Sequence, residues 1–236
     1  MKKLLMALTA LVMFFTSSGV ATAIPITGSI SATSGGGMFA TESWANNPKA
    51  TLTWSVSSQT VGQDVLWTYH YQFTVGAKAI SHVLFQVSDT FTEKNIFEGT
   101  TPFGNGDGLG TWGDEGKSSP GILSTLYSIK FGGNDLDDEF TIVTDRAPMW
   151  GSFYAKDGRD GTGQNGVDVY AYNTSFGLTS TVNIFGTAPQ GFVLVPDTRG
   201  GDGGGGEGNV PEPGSLALAG AGLILLGLGR RRTRKS

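Results

Sequence analysis

The chain has 236 residues, with 20 acidic against 16 basic side chains and no cysteine. The lack of thiols excludes a disulfide framework, a zinc–thiolate site and a cysteine nucleophile, so a packed core must supply the stability. Setting aside Lys2, Lys3, the five basic residues of the tail and Glu212, residues 24–209 keep 9 basic and 19 acidic groups, a balance of −10. That surface repels nucleic acid and anionic lipid and favours divalent cations or basic partners.

The first 23 residues have the layout of an export leader. Lys2 and Lys3 form a positive start, and Leu4 to Phe15 is apolar except for Thr9. Ala21-Thr22-Ala23 then offers the small residues that a signal peptidase reads, which predicts cleavage after Ala23.

Residues 24–199 read as one all-β domain, long enough to bury a sizeable core. Ala50 to Ser57 alternates Leu52, Trp54 and Val56 with polar partners. Val65 to Val75 places Trp67, Tyr69, Tyr71, Phe73 and Val75 on one face, with His70 and Gln72 on the other. Gly76-Ala77-Lys78-Ala79 predicts a hairpin turn into a strand from Ile80 to Ser88, which would set His70 and His82 diagonally on the polar face. Such a pair could share a metal, although no third ligand is placed by spacing. Further strands are predicted at 122–131, 139–144, 149–155, 167–172, 178–185 and 192–195. No window carries a 3.6-residue stripe. Many short strands between Gly, Asp and Ser loops argue for a β-sandwich of jelly-roll or immunoglobulin-like type.

Two acidic, glycine-rich loops supply the calcium candidates Asn105, Asp107, Asp114, Asp135 and Asp137. On the calcium-loop template Asn105, Asp107, Gly108 and Asp114 take positions 3, 5, 6 and 12, but position 1 falls on Phe103, which has no oxygen to offer. Asp157, Asp160 and Asp168 flank a third loop. The competing reading is turn chemistry, with Asp bonding its own backbone and Gly supplying positive φ. No Gly-x-Ser-x-Gly elbow or His-Glu-x-x-His motif is present, and no catalytic residue is assigned. Beyond calcium no cofactor is expected.

Gly200 to Asn209 is a polar glycine-rich spacer. Its r.m.s. reach is roughly 18 Å. Pro211-Glu212-Pro213 follows, extended because both prolines bar helix and central strand. Residues 215–229 are uncharged, and residues 230–235 hold five basic side chains. As a helix, the apolar run would span about 22 Å, short of the roughly 30 Å hydrocarbon core. The basic cluster marks the end that stays inside.

This order of Pro-Glu-Pro, apolar segment and basic end, over residues 210–236, resembles the PEP-CTERM sorting signal. The resemblance implies an exosortase as partner, with Pro211, Glu212 and Pro213 as processing contacts. It also implies export across the inner membrane, a transient anchor there, and final residence at the cell surface or in an extracellular matrix. Trp112–Ile122 and Thr144–Gly158 are similar to segments in a set of PEP-CTERM ectodomains. In the second stretch, Arg146 could lie beside Asp145 or over the Trp150 ring.

These readings converge on a non-catalytic surface or matrix protein, structural or adhesive, or binding carbohydrate in an exopolysaccharide layer. Trp44, Trp54, Trp67, Trp112 and Trp150 are available for sugar stacking, with Trp54 and Trp67 reading as core. The alternative is a secreted polysaccharide-acting enzyme, which would need an open cleft with two carboxylates about 5–10 Å apart.

Overall fold

The computed structural model describes residues 24–196, except 47, 63, 114–118, 161–165 and 179. The leader, the spacer and the tail lie outside the described residues. Among the described residues twelve strands form antiparallel sheets: β1 (Ile26–Ser31), β2 (Met38–Ala40), β3 (Thr51–Val61), β4 (Asp64–Thr74), β5 (His82–Gln86), β6 (Gly108–Trp112), β7 (Leu126–Gly132), β8 (Asp137–Thr144), β9 (Pro148–Gly151), β10 (Phe153–Asp160), β11 (Val167–Asn173) and β12 (Val193–Pro196). One sheet has the order β1-β3-β4-β8, a second β2-β11-β10-β5-β7-β6, and β12 pairs with β9. A single-turn helix α1 (Glu42–Ala45) tucks Trp44 into the core, where its indole Nε1 donates to the Lys78 carbonyl at 3.0 Å.

The period-2 aromatic run forms the centre of the first sheet, as its alternation requires. Tyr69, Tyr71 and Phe73 of β4 are fully buried, opposite Val56, Trp54 and Leu52 of β3. On the other side of β4, Tyr69 and Tyr71 face Ile142 and Phe140 of β8. The β3–β4 hairpin is longer than the core it covers. It runs on to Val61 opposite Asp64, and Gly62 at φ +69 leads out of β3.

The second sheet faces the first through these rings. Tyr71 stacks on Phe85 of β5 with centroids 3.8 Å apart, and Phe73 meets Phe153 of β10 edge-on at 5.2 Å. The predicted hairpin between Val65–Val75 and Ile80–Ser88 is therefore overturned: β4 and β5 belong to different sheets. Residues 75–81 carry the chain across, with Val75 and Ile80 donating their amides to Leu136 and Asp135. The physical reason lies in β5, whose residues His82 to Phe85 are all buried, so both faces need cover. In the second sheet β10 and β7 satisfy its two edges, and one of its faces packs on the first sheet through Phe85 against Tyr71. A second apolar cluster covers its outer side, built from Leu84, Ile122, Leu126, Tyr154 and Phe176.

Two more expectations change. The strand predicted at 149–155 breaks at Ser152, because Gln86 Oε1 accepts the Ser152 amide and Asn173 Oδ1 accepts that of Phe153. β9 then leaves for β12, and β10 continues between β5 and β11. The strand predicted at 178–185 is turns with one bridge, Ser180 to Trp150. There Ser180 Oγ and Asn183 Oδ1 accept the amides of Val182 and Phe185, a local alternative to a ladder.

Asn173, first residue of an Asn-Thr-Ser triplet, is fully buried and ties this junction together. Its Nδ2 donates to the carbonyls of Gly151 and Gly191, at 3.3 and 2.7 Å, while Oδ1 takes the Phe153 amide at 2.7 Å. Asn173→Ala should cost about 3 kcal/mol by orphaning these groups. A thermal melt should then show a midpoint roughly 6–12 °C lower. An unchanged midpoint would remove Asn173 from this role.

Candidate functional site

The first two acidic loops lie side by side, joined through residues 132–134. Asp107 is held on both carboxylate oxygens: Oδ2 accepts the amides of Gly104 (3.0 Å) and Gly132 (2.8 Å), and Oδ1 sits 3.5 Å from Lys130 Nζ. Lys130 Nζ also donates to the Gly106 carbonyl at 2.9 Å. Asn105 is an exposed turn residue beside it. Asp137 accepts from Gln72 Nε2 and Thr74 Oγ1 at 3.0 and 2.9 Å, closing the β4–β8 ladder. Asp135 Oδ1 takes the Leu136 amide, and Asp138 Oδ2 caps Asn134 and Asp135. Asp114 lies outside the described residues. Among the described residues no group of three or more His, Cys, Asp or Glu side chains is arranged to hold a metal ion. In the third loop Asp160 pairs with Lys78 at 3.8 Å.

The histidines are not neighbours, since they sit on different sheets. His70, on the exposed side of β4, lies 3.8 Å from Glu139 and 3.3 Å from Thr141 Oγ1. His82 of β5 is buried beside the Tyr154 ring, and among the described residues its Nε2 has no hydrogen-bond partner. Burial first, then the Lys130 and Lys156 charges, push its pKa down to about 3 against a smaller opposing effect of Asp107.

Arg146 lies beside Asp145, at 3.9 Å, but over Phe91 and not Trp150. Its Nη2 donates to the Thr90 carbonyl and to Asn95 Oδ1, which clamps the turn before β8 hands over to β9. Trp150 is turned into the core, with Nε1 bonded to Val182 O at 3.1 Å. Trp44, Trp54 and Trp67 are buried as well, which removes them from surface stacking. Trp112 is half-buried under Lys130 Nζ, 4.9 Å from its ring.

A cleft of about 340 Å³ opens where β1, the Gly35–Gly37 loop and the residue 188–192 loop meet, with Trp54 in its wall. Sequence reading missed it because its walls come from distant segments. The glycines at 35, 37 and 191, all with positive φ, were the available signal.

Residues 209–235 match the family model for the PEP-CTERM protein-sorting motif. The chain carries a PEP-CTERM sorting signal. It is thereby marked as an exported, exosortase-sorted protein. No curated protein and no solved structure matches the chain. The PEP-CTERM match covers Pro211, Glu212, Pro213 and the basic end, and lies beyond the described residues. Among the described residues no helix is long and apolar enough to cross a membrane.

Two measurements test this region. With Asp107 and Asp137 already hydrogen-bonded, melts in millimolar calcium, magnesium or chelator at matched ionic strength should coincide. A rise of roughly 5–10 °C in calcium alone would install a shaped site in the loops. His82 stays neutral in the fold and binds a proton in the unfolded chain near pH 6.5. Its stabilisation is therefore present above about pH 6.5 and lost as pH falls towards 3. Denaturant titrations at pH 7, 5 and 4 should show the wild type losing on the order of 2 kcal/mol more than His82→Gln. Parallel losses would refute the assignment.

Proposed function

We propose that this is a non-catalytic protein of the cell surface or extracellular matrix, released by exosortase after a brief stay in the inner membrane. The PEP-CTERM match at residues 209–235 carries the reading. Support comes from the leader pattern of residues 1–23, which gives a route out of the cytoplasm. The Gly-rich residues 200–209 would let the motif reach a membrane enzyme while the domain stays folded. The two facing sheets favour classing the ectodomain, residues 24–199, as a β-sandwich, with jelly-roll or immunoglobulin-like as the types proposed.

Binding or structural contact fits this domain better than catalysis. Asp107, Asp137 and Asp138 are spent on backbone and side-chain hydrogen bonds. The described cleft has no carboxylate in its lining, whereas most glycoside hydrolases act through a pair of them. The partners proposed are exosortase and an extracellular polysaccharide.

Intact mass spectrometry of surface-released protein should show a start at Ile24 and an end near Pro211. A released product that keeps Arg230 to Ser236 would overturn the sorting reading. Glu212→Ala should leave the melting midpoint unchanged and trap the protein in the inner membrane, because it alters the extended motif and touches no core residue. Normal release of this variant would argue against a processing step that reads Glu212.

A further inference from the structure

We propose that the cleft beside Trp54 binds one neutral sugar ring of an extracellular polysaccharide, an inference that deepens the binding role proposed above. Its size falls at the lower end of small-ligand sites. The frame is preformed. Ser31 N donates to Gly36 O (2.8 Å), Thr174 N to Gly37 O (2.9 Å) and Gln190 Nε2 to Gly35 O (3.1 Å), while Asn173 holds Gly191 O. Positive φ at Gly35, Gly37 and Gly191 lets backbone, and not side chains, form these walls. A methyl group on Gly191 would lie 2.1 Å from Thr174 Oγ1, so that approach tolerates only glycine.

The chemistry of the lining selects the ligand class. Among the described residues no lining side chain carries a charge or an imidazole, so an ionic ligand would be left uncompensated. Ile30, Pro189 and Phe192 supply apolar surface; Ser29, Ser31 and Gln190 supply hydroxyls and an amide. A pyranose has the matching character, with an apolar C–H face and a rim of hydroxyls. Trp54 adds the second observation. Its indole lies across Gly28, where a Cβ would come within 2.2 Å of Cζ2, and its buried Nε1–H has no acceptor among the described residues. A donor buried without a partner is a cost that a sugar hydroxyl reaching in from the cleft would relieve.

The test titrates the full-length chain, held in a zwitterionic detergent without a sugar headgroup, by calorimetry. The probes are cellotriose, maltotriose, mannotriose, N,N′,N″-triacetylchitotriose and trigalacturonate. At least one neutral trisaccharide should bind saturably. Ala188→Trp, which fills the cleft from an exposed loop position, should abolish that binding without moving the melting midpoint. Trp54→Phe, which keeps an aromatic ring and loses the N–H, should weaken it at least about tenfold. Should Trp54→Phe fail to fold, Ala188→Trp decides alone. The proposal falls if no neutral trisaccharide binds, if only trigalacturonate binds, if binding survives Ala188→Trp, or if a folded Trp54→Phe binds as tightly as the wild type. Release of the wild type and retention of Glu212→Ala report on sorting independently, so failure here leaves that reading standing.

Discussion

The domain depends on one contact, the stacking of Tyr71 on Phe85 across the gap between the sheets. With no cysteine in the chain, nothing covalent can hold the sheets together, so burial of these rings has to. The contact also extends beyond two strands. Tyr71 donates its hydroxyl to Leu194 O at 2.8 Å, which fastens the last strand to the centre of the first sheet. Burial raises the Tyr71 pKa well above its usual value, so the phenol remains a donor across the physiological range. Phe140 and Phe153 pack around Phe85 at 6.3 and 5.6 Å and carry the same layer outward.

Around this layer the polar side chains act as fasteners at places where ladders end. Asn173 closes the break between β9 and β10, Asp107 caps β7, Asp137 closes β8 against β4, and Arg146 clamps the turn that follows β8. Of the residues that suggested calcium, Asp107, Asp135 and Asp137 are engaged by hydrogen bonds within the fold. Asp107, Asp135 and Asp138 accept backbone amides in tight turns, a use of short carboxylates that requires no ion.

What could be read from the sequence followed from how local each signal is. The alternation through Leu52–Val56 and Trp67–Phe73 is strictly local, and those strands appear where it placed them. The sorting tail was legible for the same reason, since its parts are contiguous. Adjacency misled at residues 76–79, where a turn-like Gly-Ala-Lys-Ala joins two sheets and not two neighbours. β1, β2 and β6 escaped because they are short or interrupted by Gly28, Gly108 and Gly110. The role of Asn173 and the Trp54 cleft were missed because their partners lie far off in sequence: residues 151, 153 and 191 for one, 29–37 and 188–192 for the other.

The pairing of β2 with β11 has a consequence for the order of events during export. Met38, Phe39 and Ala40 find their ladder partners only at Asn173, Tyr172 and Ala171. A chain leaving the translocation channel amino-terminus first can close the β3–β4 hairpin early, because those strands adjoin. The joining of β2 to its second sheet must wait until β11 has crossed, since contacts of such long sequence separation form late. Soon afterwards the residues to emerge belong to the spacer and the Pro-Glu-Pro motif. Completion of the fold and arrival of the sorting signal at the membrane therefore fall close together in time, which gives the processing enzyme a finished domain to release.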